Sequence, residues 1–256
     1  MDYGAALLDE TRAFAELIRR GDPALPVPTC PEWNLEQLFR HVGRGNLWAA
    51  QIIADRMDHG LDPREVVGGK PPAQLDASID WLNDGAQQIL DAVAQTGPDT
   101  PVWTFVGPRP SAWWVRRRLH EATVHRADAA LAMAGQMGDF ALSAELAADG
   151  ISELLDLLAA RPRRDGQPWP LVGDDVVHLH ATDTDLGSDG QWVIRRSSTT
   201  DTLSWAHERG AASVTLSGSA RELFLVFMRR AQVADTDITV SGDPQVWQNW
   251  VDHTAF

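Results

Sequence analysis

SAWWVRRRLHEATVHRADAALAMAG, residues 111–135, places four arginines, two histidines, a glutamate and an aspartate in one uninterrupted run. Ser111 offers a helix start and Gly135 a helix stop, so the stretch reads as one long helix. A helix this polar either lies along a solvated face or carries a site inside a bundle. Which alternative holds decides both the fold and the chemistry.

Helical geometry sorts the polar residues. HEATVH looks like a zinc-protease signature, but its histidines are five apart rather than four. His120 and His125 therefore stand about 140° apart around the helix and cannot share one ion. Glu121 and His125 are four apart, about 40°, and stack on one face. This pair can chelate, and His120 is expected to point outward or to serve a structural cap. Asp128 lies three residues beyond His125 and can accept from its ring as a second-layer partner, or pair with Arg118 or Arg126. A catalytic zinc takes three protein ligands, so a third must come from another helix. His41, in LFRHVGRGN beside an apolar stripe, is the best candidate. Two imidazoles and a carboxylate suit zinc and other divalent metals. The plain alternative is a solvated Glu-x-x-x-His face and an ordinary helical histidine.

Working outward, residues 5–20 repeat Ala6, Leu7, Phe14, Leu17 and Ile18 at helical spacing and stop at Gly21-Asp22-Pro23. A second helix follows Pro31, its stripe formed by Leu35, Leu38, Phe39, Val42, Leu47, Ile52 and Ile53. A third spans 73–95, and residues 143–160 form a shorter trailing one. Residues 58–72 and 96–110 read as Gly- and Pro-rich loops. TFVGPRPSAWW, 104–114, either lines a pocket or packs as a loop with buried aromatics. RPRRDGQPWP, 161–170, reads as a linker. Beyond it, DDVVHLHATD and GQWVIRRS alternate like the strands of a hairpin. ASVTLSGS and DITVSGD read as further strands, SARELFLVFMRRAQV and PQVWQNWVDHTAF as helices. The expected division is a helical domain over 1–163 and a smaller α+β domain over 170–256.

The chain has 256 residues and a formal net charge of −14, which argues against nucleic acid as a partner. Cys30 is the single cysteine, so no intrachain disulfide forms and a reducing cytoplasm is the expected location. A catalytic role for Cys30 would need a neighbouring base. The N-terminus has no signal-peptide pattern, and no apolar run is long enough for a membrane span. His178 and His180 alternate on a strand and share a face, which suits a polar sheet surface or, less simply, a metal.

VPTCPEWNLEQLFRHVGR (27–44) and RRRLHEATVHRADAALAMAG (116–135), in that order, resemble the two signatures of the mycothiol-dependent maleylpyruvate isomerase family. LAADGISELL resembles the segment after the second signature, and DDVVHLHATDTDLG, VTLSGSARELFLVFMRR and ITVSGDP resemble the family's C-terminal domain. The likeness thus spans nearly the whole chain. It implies a DinB-like four-helix bundle holding a divalent metal, usually zinc, and a C-terminal α+β domain like sterol carrier protein 2. The family's ligands match His41, Glu121 and His125, the set already reached from geometry. An arginine of the C-terminal domain is implicated in activity, matching Arg230 or Arg229, with Arg230 favoured. The implied reaction uses mycothiol as thiol cosubstrate, deprotonated at the metal, to isomerise a cis-alkene acid to trans or to transfer sulfur to an electrophile. A non-catalytic metal or thiol-conjugate binding protein is the alternative on the same fold. The expected partners are mycothiol and a small unsaturated or electrophilic acid, with the chain a monomer or homodimer.

Overall fold

A computed structural model of the chain describes residues 1–135, 137, 140–161, 167–197 and 202–254. The chain forms two compact units, Met1–Phe140 and Ala141–Phe256.

The first unit holds α1 (Tyr3–Arg20), α2 (Leu35–Ala54), α3 (Leu75–Thr96), the two-residue strands β1 (Pro101–Val102) and β2 (Arg109–Pro110), and α4 (Trp113–Ala134). Helix α1 packs on α3 and α4, and α2 packs on α3 and α4. Their apolar stripes meet in a core that includes Phe14, Leu38, Val42, Ile79, Leu82 and Ala129. The start of α2 differs from expectation. Residues 27–33 form turns, with Cys30 N–H donating to Val27 O and Trp33 N–H to Cys30 O. Asn34 then caps the helix, its side chain accepting from Gln37 N–H while the Gln37 side chain accepts from Asn34 N–H. This reciprocal cap outcompetes Pro31 as the start signal. Helix α4 ends as its sequence demands: Gly135 adopts φ 70°, a left-handed conformation that costs glycine little.

Tryptophans tie the intervening loops to the helices. Trp48 Nε1 donates to Leu61 O, Trp81 Nε1 to Gly68 O and Trp114 Nε1 to Trp103 O, at 2.8, 2.8 and 3.1 Å. Trp81 in turn covers α2 at Gly43, where a Cβ would stand 2.1 Å from the indole.

The second unit holds α5 (Ala144–Ala160), β3 (Val176–Ala181), β4 (Gln191–Ser197), β5 (Thr202–Ala206), β6 (Val214–Gly218), α6 (Ala220–Phe227), β7 (Thr239–Gly242) and α7 (Pro244–His253). The sheet order is β5-β4-β3-β6-β7. Strands β3 and β4 form the expected antiparallel hairpin, from Val176 opposite Arg195 to His180 opposite Gln191. Strand β6 runs parallel to β3 on its other side. Strand β5 was not foreseen. It alternates weakly, with Leu203 its only buried side chain.

Helix α5 belongs with this sheet rather than with the bundle, so the units divide well before the expected residue 163. Its Ile151, Leu154 and Leu155 are buried, each contributing about 1.5–3 kcal/mol on full burial. Ser152 Oγ accepts from the buried indole N–H of Trp192 on β4 at 2.9 Å. Residues 162–166 of the expected linker lie outside the described residues.

Candidate metal centre

One face of α4 and one residue of α2 converge. His41, Glu121 and His125 each offer a ligand atom, and these atoms all lie within 4.8 Å of one another. Glu121 Oε2 stands 3.7 Å from His41 Nε2 and 3.5 Å from His125 Nε2. A tetrahedral dication with ligand distances near 2.1 Å needs its donors roughly 3.4 Å apart. The donor set suits a zinc-type ion, and both carboxylate-to-imidazole spacings lie near that value. Among the described residues this is the one such cluster.

The support of His125 is built into the fold. Its Nδ1 meets Asp128 Oδ2 at 2.8 Å, one helical turn on, which leaves Nε2 to face Glu121 and His41. Asp128 is fully buried, and its other oxygen accepts from Thr29 Oγ1 at 2.5 Å. Thr29 lies in the turns before α2, so the hydroxyl that steadies this carboxylate comes from 99 residues away. Burial pulls the His125 pKa down, but Asp128 and Glu121 outweigh it and hold the imidazole above its usual value.

Glu121 is gripped by cations. Arg117 bonds its Oε1, and Arg118 Nη1 stands 3.6 Å from Oε2. Burial opposes ionisation here, yet Arg117, the two imidazoles and Arg118 together keep the carboxyl well below 4.5. Arg118 is itself buried. Its Nε donates to Asn46 Oδ1 and its Nη2 to Val42 O, at 3.0 and 3.1 Å. Burial pushes this guanidinium down to about 10 against the pull of Glu121. It lies across α2 at Gly45, where a Cβ would stand 2.6 Å from Nη2.

His41 is the most open of the three, its side chain 42 % exposed. Burial of the ring lowers its pKa, opposing Glu121, and favours the neutral, ligating form. The Trp33 ring packs 4.7 Å from it and 6.3 Å from His125, centroid to centroid. His41 and Glu121 also line a cavity of about 390 Å³ within the first unit, together with Trp33, Arg40, Arg44 and Trp48. Phe105 and Trp114 reach it from the Trp- and Pro-rich stretch, so that stretch both lines a pocket and buries an aromatic.

Other expectations resolve differently. His120 does not point outward: it is fully buried. The arginine-rich run is no solvated face either, since Arg118, Thr123, Arg126 and Asp128 are all buried. Cys30 packs partly buried against the bundle core. His178 Nε2 pairs with Gln191 Oε1 at 2.9 Å and His180 Nδ1 with Ser217 Oγ at 3.2 Å, a polar sheet face. In the second unit Arg229 has φ 61° and its guanidinium bonds Val251 O and, at 3.0 Å, Thr254 Oγ1. Arg230 Nη1 donates to Met228 O at 2.6 Å. Sequence reasoning missed Thr29, Trp33 as a wall of the site, and the seat that Gly45 provides for Arg118.

Known proteins share this architecture. Among solved structures, a mycothiol-dependent maleylpyruvate isomerase and a point mutant of it match the chain. Their TM-scores are 0.58 and 0.57 at 14 % and 15 % identity, over 94 % of this chain and 92 % of theirs. At that identity the likeness is one of fold. No curated protein matches the chain. Residues 5–130 match the model of the mycothiol maleylpyruvate isomerase N-terminal domain, and residues 145–249 that of the family's C-terminal domain, which begins at α5. The chain belongs to the mycothiol-dependent maleylpyruvate isomerase family.

Proposed function

We propose that this protein is a divalent-metal enzyme that uses mycothiol as cosubstrate, either isomerising an unsaturated acid from cis to trans or transferring sulfur to an electrophile. The observation that carries the reading is the convergence of His41 Nε2, Glu121 Oε2 and His125 Nε2 at the wall of a cavity. Three protein ligands beside an open cavity is the arrangement of catalytic rather than structural zinc sites. In this reading the helices are a DinB-like metal-binding bundle, the second unit is a sterol-carrier-protein-2-like domain, and the enzyme works in the cytoplasm.

The three residues would hold zinc or a similar dication, whose chemistry is to lower the pKa of a coordinated thiol to below neutrality. The chain's own groups then have separate tasks. Asp128 holds the proton on His125 Nδ1 and so keeps Nε2 as the ligating atom. Arg117 and Arg118 fix the rotamer of Glu121. Trp33 packs against both imidazoles and would limit their movement. Of the two C-terminal arginines, Arg230 is taken, ahead of Arg229, as the group that would hold a substrate carboxylate through paired hydrogen bonds.

The test is to measure metal per chain by elemental analysis, then incubate the loaded protein with mycothiol and a panel of cis-alkene acids, electrophilic acids and epoxides. Isomerised acid or a thiol adduct, seen by mass spectrometry and dependent on metal, is the expected result. Stoichiometric metal with neither product from any compound would refute the enzyme.

A further inference from the structure

The protein carries a net charge of −14, yet its cavity gathers Arg40, Arg44, Arg117 and Arg118. Arg117 and Arg118 share one carboxylate, Glu121. Arg40 and Arg44 have none: neither meets an acidic side chain among the described residues. Arg44 spends only its Nε, on Gly69 O at 3.0 Å, and keeps both terminal NH₂ groups. The two sit one turn apart on α2, where like charges repel and weaken the helix. Acidic residues are abundant elsewhere on the chain, so leaving this pair uncompensated is a local feature of the cavity wall.

Much of the remaining lining is aromatic. Trp48 and Trp114 meet edge to face at 5.2 Å, and Phe105 lies 6.0 Å from Trp114. Both indole N–H groups are spent on backbone carbonyls, so these rings offer the cavity only hydrocarbon and π surface. Phe105 is 49 % exposed, unusual for a large apolar side chain. At about 390 Å³ the space falls in the range of small-molecule sites.

We propose that the cavity binds a small organic dianion with a flat aromatic body, its two charges taken by Arg40 and Arg44 and its ring by Trp48 and Phe105. Guanidinium forks match carboxylate or phosphate oxygens in pairs, which a lysine would not do. The inference names the substrate class of the proposed enzyme and so rests on that reading, but its test needs no turnover.

Full-length protein, its metal per chain measured in each sample, is titrated calorimetrically with phthalate, benzoate and succinate. Phthalate is expected to bind about tenfold or more tightly than either, and Arg40→Gln to weaken it about tenfold or more, as loss of a charge-assisted hydrogen bond does. Metal content and melting temperature stay unchanged, and Arg40→Lys recovers part of the loss. Arg44→Gln repeats the result from the neighbouring turn. Failure of phthalate to bind overturns the proposal, as does binding indifferent to both Gln variants. Succinate binding as tightly as phthalate overturns the aromatic body. Arginine-dependent phthalate binding by protein that holds no metal sustains the anion site while removing the metal enzyme, so the two ideas fail separately.

Discussion

Gly45 lies directly beneath the guanidinium of Arg118: a Cβ on Gly45 would approach all three of its outer atoms within 2.6–2.8 Å. Arg118 in turn reaches Asn46, Val42 and Glu121. Gly45→Ala should therefore push Arg118 off its seat and leave the buried Asn46 Oδ1 without its donor. The expected cost is about 1–3 kcal/mol. Urea unfolding of this variant beside the parent checks it, and unchanged stability would show that Arg118 relaxes freely.

His41→Ala and His125→Ala should each abolish stoichiometric metal while the protein stays folded. Elemental analysis after dialysis against a weak chelator, with circular dichroism as the control for folding, reads both. Full metal retention in either variant would dismantle the three-residue site.

Asp128→Asn should keep the metal but weaken it by about 10–100-fold, the usual effect of losing a carboxylate behind a ligating histidine. Thr29→Val should act in the same direction and less strongly, since it removes the hydroxyl donor to Asp128 rather than the carboxylate. Competition against a chromophoric chelator measures both, and parent-like affinity in both would assign this chain of contacts to folding alone.

The two C-terminal arginines should separate. Arg229→Ala should destabilise the protein by about 1–2 kcal/mol through the lost bonds to Val251 and Thr254. Arg230→Ala should leave stability and metal intact and lower turnover in the mycothiol assay. Unaltered turnover in Arg230→Ala removes that residue from the reaction.

Glu222 gives a pH-dependent term. Burial alone would raise its pKa, but the N–H of Asp237 and the hydroxyl and N–H of Ser219 outweigh it and hold it below 4.5. A carboxyl lowered on folding stabilises above its unfolded pKa, and that contribution fades as pH falls through the folded value. The stability gap between parent and Glu222→Gln should thus be present at pH 7 and close under acid conditions. A gap that stays constant from pH 7 to pH 3 would contradict this.

How much of the fold and site is legible in the sequence depends on the range of the interaction. The four-residue step from Glu121 to His125 is set by helix geometry, so this pair of the candidate site could be read directly. The hairpin of β3 and β4 announced itself by alternation. Contacts made across the chain could not be read this way. Thr29 and Asp128 are 99 residues apart, and nothing local to either points to the other. Amphipathicity showed that α5 has an apolar face, but not that the sheet would claim it. The helical step put His120 away from the candidate site, yet its burial is set by tertiary packing that the step does not reveal. Strand β5 offers one buried side chain, too little to establish a period.

The indole ties of Trp48, Trp81 and Trp114 all end on main-chain oxygens. The side chain of Leu61 plays no part in its tie and Gly68 has none to contribute, whereas the Trp103 ring also packs on Trp48 and Trp114. Substitution at Leu61 can therefore rewrite that part of the loop surface without loosening its anchorage. In the proposed enzyme, retention of an ion and choice of guest would then be separately adjustable, so that one scaffold could diversify in what it accepts while its inner triad stays fixed.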